Sequence, residues 1–187
     1  LTQLTLLFFA LVFFMIAMEE VSYFQRVLEV ETPGSLGGNL QGEYNLHNFY
    51  TDQVENAYYF SAFLFLVVLP FIRAIFPTIL KDYGMNVFVP RPFISVLGAI
   101  PCAYNFDMWN IIFTQIAFSG AVIILFAHVL FCINWKDRII ALLAVFVIII
   151  TQACFLTNGQ KFLRIWEVTE YKEFFIPLAF FVYAVDV

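Results

Sequence analysis

The sequence predicts an all-α fold, a polytopic bundle of about six transmembrane helices with one polar loop on the non-cytoplasmic side. Its 187 residues are 63% hydrophobic and only 12% charged, whereas a soluble domain is about half apolar and about a quarter charged. The apolar residues also form runs close to the roughly 20 residues that a helix needs to cross a bilayer. We therefore expect a single integral membrane domain over 1–187, whose outer surface faces lipid.

The predicted spans follow the apolar runs in chain order: 1–18, 56–76, 88–105, 109–135, 139–156 and 174–187. The first helix is expected to continue through Glu19–Glu29, and Pro33 with its neighbours then ends it. Asp52, three residues before a Glu, has the form of a capping box and predicts the N-cap of the second span. Pro70 is expected to kink that span. Lys136–Arg138 is interpreted as a tight turn between the fourth and fifth spans.

The segment Phe93–Tyr104 decides the topology, because it is apolar but short and contains a proline. If it crosses the membrane there are six spans, and the polar stretches Met18–Asp52 and Thr157–Glu173 lie on the same side. If it is re-entrant there are five. Lys and Arg counts slightly prefer five, whereas the similarity of Phe24–Val30 to Phe162–Val168 favours six, which we adopt. Both alternatives place 19–55 on the non-cytoplasmic side.

Charge and cysteine content exclude several function classes. The net charge of −5 and the lack of any Lys/Arg cluster argue against nucleic acid as a partner, since phosphate binding needs clustered cations. The three cysteines lie far apart in apolar runs, without the spacing of a metal site or a disulfide framework. They are expected to be packing residues.

The candidate site lies in the long polar island Met18–Asp52. On a continuing helix, Glu19 and Arg26 share a face with the residues between them at helical spacing, and Glu43 and His47 at i, i+4 share another. A carboxylate–histidine set of this kind suits Zn, Mn or Fe, or general acid–base work. The more conservative interpretation is an interfacial hydrogen-bond and salt-bridge network. The candidate residues are Glu19, Glu20, Ser22, Tyr23, Arg26, Glu43, His47 and Asn48, with Glu19, Glu20, Glu43 and His47 as candidate metal ligands.

His128 is the second candidate, because intramembrane histidines are often functional. It could ligate a haem or a chlorophyll-type pigment axially. We favour instead a hydrogen bond to a neighbouring helix, with Gln115, Thr151 or Gln152 as partner. His128 and Gln115 are thus the intramembrane polar residues of interest.

Three short sequences in the polar island resemble a pattern found in uncharacterised bacterial multi-span membrane proteins. They are Glu19-Glu20-x-Ser22-aromatic-x-Gln25-Arg26, Glu31-Thr32-Pro33 and Gln41-Gly42-Glu43-x-Asn45-Leu46-His47-Asn48. The chain departs from the pattern at Tyr23-Phe24, where Trp-Gly is expected. The resemblance implies a bacterial integral membrane protein with a preserved polar loop and implies no activity. We expect the protein in the bacterial inner membrane.

The leading functional hypothesis is a structural or accessory subunit of a larger membrane complex, such as a respiratory or photosynthetic one, with other membrane protein subunits as partners. Short aqueous loops, Phe-rich spans and the absence of a catalytic sequence motif favour it. One alternative is a membrane-embedded, metal-dependent enzyme that uses Glu19, Glu20, Glu43 and His47. Another is a small transporter, although Trp109–Leu156 carries charge only at Lys136–Arg138.

Overall fold

The computed structural model describes residues 2–34, 38, 45, 49–78, 88–103, 111–131, 134–161 and 167–186. Every regular element in these residues is helical, which confirms the all-α prediction. Three helical segments are long and apolar enough to cross a membrane: Thr51–Ile75, Ile112–Phe131 and Trp135–Asn158. The chain is therefore an integral membrane protein. It divides into two compact units, Leu1–Glu55 and Asn56–Val187, and the single domain over 1–187 stays a prediction.

The first unit begins with helix α1, Thr2–Glu20, followed by a 3₁₀ turn at Ser22–Phe24 and the short helix α2, Gln25–Leu28. The continuous helix predicted through Glu29 is wrong. Ser22, Tyr23 and Phe24 have φ values of 47°, 52° and 60°, and a right-handed helix cannot pass through consecutive left-handed residues. The pattern did not indicate this break, since neither Gly nor Pro marks it.

The second predicted span is one long helical segment in three parts: helix α3, Thr51–Phe63, a π-helical segment, Leu64–Val68, and helix α4, Leu69–Ile75. Asp52 lies in the first turn rather than at the N-cap position, where its carboxylate still suits the positive helix end. The irregularity expected at Pro70 takes the form of the π-helical segment immediately before it. Pro70 has no N–H, so one carbonyl a turn earlier loses its usual donor.

Helix α5, Pro92–Cys102, is the centre of the second unit. Arg91 is extended at φ −70° and ψ 156°, as the residue before a proline prefers, and Pro92 occupies the first helical position, where a missing N–H costs nothing. Six of its eleven residues are buried. It packs against the π-helical segment, against α4 and against all three later helices.

The remaining helices are α6, Ile111–Phe131, α7, Trp135–Asn158, and α8, Glu167–Asp186, with a 3₁₀ turn at Gly159–Lys161. The tight turn predicted at Lys136–Arg138 is wrong, because Asn134 caps α7 by accepting from the N–H of Lys136 at 3.1 Å. Those three residues therefore form the first turn of α7. Helix α8 begins seven residues before the predicted span 174–187, within the polar stretch.

Small and aromatic side chains fill the core of the second unit. Helix α7 packs against α6 and α5 and buries a narrow stripe at helical spacing: Ala141, Ala144, Val145 and Ile148. Phe65, on the π-helical segment, stacks on Phe180 of α8 with 5.7 Å between ring centroids and meets Tyr183 edge-on at 5.1 Å. Ring pairs in this geometry add to the packing energy of the buried area.

Candidate functional site

The polar island in the first unit is held by side-chain hydrogen bonds around the left-handed turn. The Tyr23 hydroxyl donates to Glu19 Oε1 at 3.0 Å, across the end of α1. The Gln25 amide donates to Thr32 Oγ1 at 2.6 Å. Left-handed non-glycine residues cost about 1–2 kcal/mol each, so these bonds help to offset the strain of the turn.

One contact brings the distant part of the loop back to the end of α1. Asn45 is buried, and its Nδ2 donates to Ser22 Oγ at 3.1 Å, across 23 positions of sequence. Asn45 stands midway between Glu43 and His47 in the sequence. The chain therefore returns to this turn at position 45.

The predicted site residues are described to different extents. Glu19, Ser22 and Tyr23 form the network above. Glu43, His47 and Asn48 lie outside the described residues, as do the side chains of Glu20 and Arg26. Within the described part of the chain, no group of three His, Cys, Asp or Glu residues could hold a metal ion. The metal site at Glu19, Glu20, Glu43 and His47 thus stays a prediction.

His128 lies in α6 and is only 8% exposed. Its Nδ1 is 3.0 Å from the Ile124 carbonyl oxygen, one turn earlier on the same helix. A carbonyl oxygen can only accept, so Nδ1 carries the proton in this bond. Nε2 is buried and has no hydrogen-bond partner in the described structure. The predicted bond to a neighbouring helix, through Gln115, Thr151 or Gln152, is therefore wrong.

Gln115 lies near the start of α6, and its side chain is exposed on the outer face of the helix. Ser119 follows one turn later and is exposed as well. Thr114, the preceding residue, lies about 100° away around the helix and is buried. Helix α6 therefore carries polar groups on its inner and outer faces at similar depth.

A recess that the sequence analysis missed lies where α3, α6 and α8 begin and α5 ends. It is small, with about 10 Å³ of enclosed space, roughly the room of one water molecule, and it is partly open to the surface. Polar and apolar side chains from all four helices surround it, among them Asn56, Tyr59, Phe60, Cys102, Thr114 and Lys172.

Lys172 is the charged group of this recess and is only 2% exposed. Its ammonium lies 4.9 Å from the centroid of the Tyr59 ring, in the range of a cation–π interaction. The Tyr59 hydroxyl donates to Glu173 Oε1 at 3.2 Å, which fixes the orientation of that ring. Lys172 lies in the stretch Thr157–Glu173 that was predicted to be polar, but it shares a helical face with buried residues: Ile176, Ala179 and Tyr183.

A second group of polar contacts lies at the opposite end of the same unit. Arg91, before α5, pairs with the Asp186 carboxylate at 2.8 Å and donates to its carbonyl at 3.0 Å. The Tyr183 hydroxyl donates to the Phe88 carbonyl at 2.7 Å, and Arg73 donates to the Val89 carbonyl. These bonds hold the segment before α5 against α4 and α8.

The sequence matches no protein-family model, no curated protein and no solved structure.

Proposed function

We propose that the protein is a structural or accessory subunit of a larger membrane complex, in the inner membrane of a bacterium. The observation that carries the proposal is the exposed amide of Gln115 on the outer face of α6, a helix long and apolar enough to cross a bilayer. A polar side chain on such a face is unfavourable against hydrocarbon. A hydrogen bond to a second transmembrane helix removes that penalty.

The outer face of α6 has the composition of a helix–helix contact. Gln115 and Ser119 lie one turn apart, between the exposed apolar residues Ile112 and Ile123. Small residues permit close approach of transmembrane helices, and interhelical hydrogen bonds there contribute about 0.6–2 kcal/mol each. The expected occupant is therefore a transmembrane helix of a different subunit, with an amide or hydroxyl side chain opposite Gln115.

A photo-crosslinking amino acid at position 115 tests this proposal in the native membrane. The matched control carries the same group at Ala153, which is exposed on α7 near the same end of the bundle. We expect position 115 to give an adduct with another membrane protein, and position 153 to give none. An adduct at twice the mass of this chain, or cross-linking to lipid alone, would contradict the proposal.

A membrane-embedded enzyme is the second candidate, and the bond between Asn45 and Ser22 favours it. This bond brings Asn45, which stands between Glu43 and His47 in the sequence, to the turn beside Glu19. Metal analysis of the purified protein separates the two functions. Stoichiometric Zn, Mn or Fe that is lost in His47→Ala supports the enzyme, whereas metal-free protein that co-purifies with other subunits supports the accessory role.

A further inference from the structure

The chain that follows α1 exposes a group of apolar side chains, which has no part in the proposed accessory role. In the 3₁₀ turn, in helix α2 and beside them, five apolar residues are exposed: Val21, Phe24, Val27, Leu28 and Val30. Val27 and Leu28, both in α2, are 77% and 65% exposed. We call these five residues the apolar turn. Exposed apolar side chains that stand together mark sites of contact with a protein or a membrane.

The polar side chains of the same segment are satisfied within the protein. Ser22 is only 3% exposed, and its hydroxyl accepts from Asn45. The Tyr23 hydroxyl donates to Glu19. The Gln25 amide donates twice, at 3.1 Å and 2.6 Å, to acceptors further along the chain. Apolar side chains outside and bonded polar side chains inside are the reverse of the distribution that water favours.

Backbone hydrogen bonds close the segment at both ends of α2. The Phe24 N–H donates to the Val21 carbonyl at 2.9 Å, and the Val30 N–H donates to the Gln25 carbonyl at 3.1 Å. Where lipid replaces water, backbone groups have to find their partners within the protein. The backbone of the apolar turn therefore suits lipid as well as its side chains do.

Helix α1 puts the apolar turn at the edge of the bilayer. It is the first predicted span, and the sequence carries no charge before Glu19. Its 19 residues extend about 29 Å, close to the roughly 30 Å of the hydrocarbon core. The head-group layer adds about 5–7 Å on each side, and the four residues of α2 extend about 6 Å. The apolar turn thus continues the exposed apolar surface of α1 into that layer.

We infer that the apolar turn inserts into the membrane interface, where its partner is lipid at the boundary between head groups and acyl chains. Short helical segments with an exposed apolar face bind there. Val27 and Leu28 contact the acyl chains, and the exposed carboxylates of Glu29 and Glu31 face head groups and water, where charge costs less than in the bilayer centre. Unlike Gln115 on α6, the apolar side chains need no hydrogen-bond partner, so lipid suffices as occupant.

Spin labelling of the full chain in phosphatidylcholine liposomes tests the inference. The native cysteines are replaced by alanine, and a nitroxide is attached to single cysteines at Val27→Cys, Leu28→Cys and the nearby control Glu31→Cys. The collision rate with oxygen, which concentrates in the bilayer, is compared with that of a water-soluble nickel chelate. We expect the ratio of oxygen to nickel collisions to be severalfold higher at positions 27 and 28 than at position 31.

Two results would overturn the inference. A ratio at positions 27 and 28 equal to that at position 31 would place the apolar turn in water. Low access of both reagents to positions 27 and 28 would show that protein covers them instead of lipid. Each of the two positions reports on the same surface, so the test stands if only one of the variants folds.

Discussion

In the described structure, only one of the two ring nitrogens of His128 has a hydrogen-bond partner. Its Nδ1 proton is bound by the Ile124 carbonyl of its own helix, and its Nε2 lies buried with no hydrogen-bond partner in the described structure. Phe71 lies 5.7 Å from the imidazole, ring centroid to ring centroid. A fixed Nδ1–H with an unused Nε2 is the arrangement of a metal-ligating histidine. It is also what remains when an imidazole merely fills space.

We predict that His128 has the structural role. His128→Phe should then keep the fold and change the stability by less than about 1 kcal/mol, because it removes an unsatisfied nitrogen and preserves ring packing against Phe71. His128→Gln is expected to keep the fold as well. Thermal unfolding and the visible absorption spectrum of purified protein check both. Loss of a visible-absorbing pigment in either variant would show that Nε2 binds a cofactor.

Single residues mark the limit of what the pattern could predict. The Glu19 side chain was correctly placed within reach of Tyr23, although the helix expected to join them ends at Glu20. The burial of Lys172 was not predicted, because its neighbours in sequence are charged and indicated an aqueous segment. Its helical spacing to the buried Ile176 was the signal that could have shown it. The left-handed turn at Ser22–Phe24 had no local signal, since neither Gly nor Pro marks it and its contact with Asn45 comes from 23 positions away.

At the scale of elements, the π-helical segment and α5 form a close backbone contact in the core. A Cβ atom at Gly98 would lie 2.7 Å from Leu66 Cβ and 3.3 Å from the Leu66 carbonyl oxygen. Ser95, one turn earlier on α5, donates to the Val67 carbonyl at 3.0 Å. Pro70 withholds a backbone donor from this region. Gly98 therefore lets α5 approach the backbone of the π-helical segment, and Ser95 donates a hydrogen bond to a carbonyl of that segment.

Two glycines allow a matched test of this contact. Gly98→Ala should lower the free energy of unfolding by about 2–3 kcal/mol, because the new methyl group meets the backbone and Cβ of Leu66 and the helices must separate. Gly120→Ala should cost about 1 kcal/mol or less, because its methyl group meets only the tip of the Phe63 side chain, at 2.5 Å, and a small change in the χ1 angle of Phe63 moves that tip.

Both substitutions gain the same helix propensity, so their difference isolates packing. Thermal unfolding in detergent measures it. Equal losses of stability, or a larger loss for Gly120→Ala, would contradict the described contact between α5 and the π-helical segment.

The helices themselves were largely predictable, because long apolar runs leave few alternatives in a bilayer. The start of α8 was not, since apolar content alone cannot locate a helix end that begins with charged residues. The central position of α5 was not predictable either. Its eleven residues span only about 16 Å, and their burial depends on which helices surround them.

At the scale of the whole second unit, α5 runs from one end to the other. Arg91, before its first turn, pairs with Asp186 at the end of α8. Cys102, in its last turn, borders the recess with Lys172, near the start of α8. Those two positions on α8 are about 21 Å apart at 1.5 Å per residue. The six-span alternative requires such a course, but eleven residues are fewer than the roughly 20 of a full span, so the choice between six and five spans stays a prediction.

The course of α5 also orients the positive charges. Arg73 and Arg91 lie at the end away from the recess, and α7 begins there with Lys136 and Arg138, because α6 runs from the recess towards that end. Cytoplasmic loops carry the excess of Lys and Arg. That end is therefore expected to be cytoplasmic, and the end from which α3 and α8 begin non-cytoplasmic.

The last prediction is that Met18–Asp52 and Thr157–Glu173 lie on the same, non-cytoplasmic side. Single cysteines at Glu31, Lys161 and Lys136 test it, since all three side chains are exposed; the native cysteines are first replaced by alanine. In intact cells with a permeabilised outer membrane, a membrane-impermeant maleimide should label Glu31→Cys and Lys161→Cys, and should label Lys136→Cys only after lysis. If α5 did not cross, every later helix would be inverted while Glu31 kept its side. Labelling of Lys136→Cys in intact cells, with Lys161→Cys protected until lysis, would therefore require five spans.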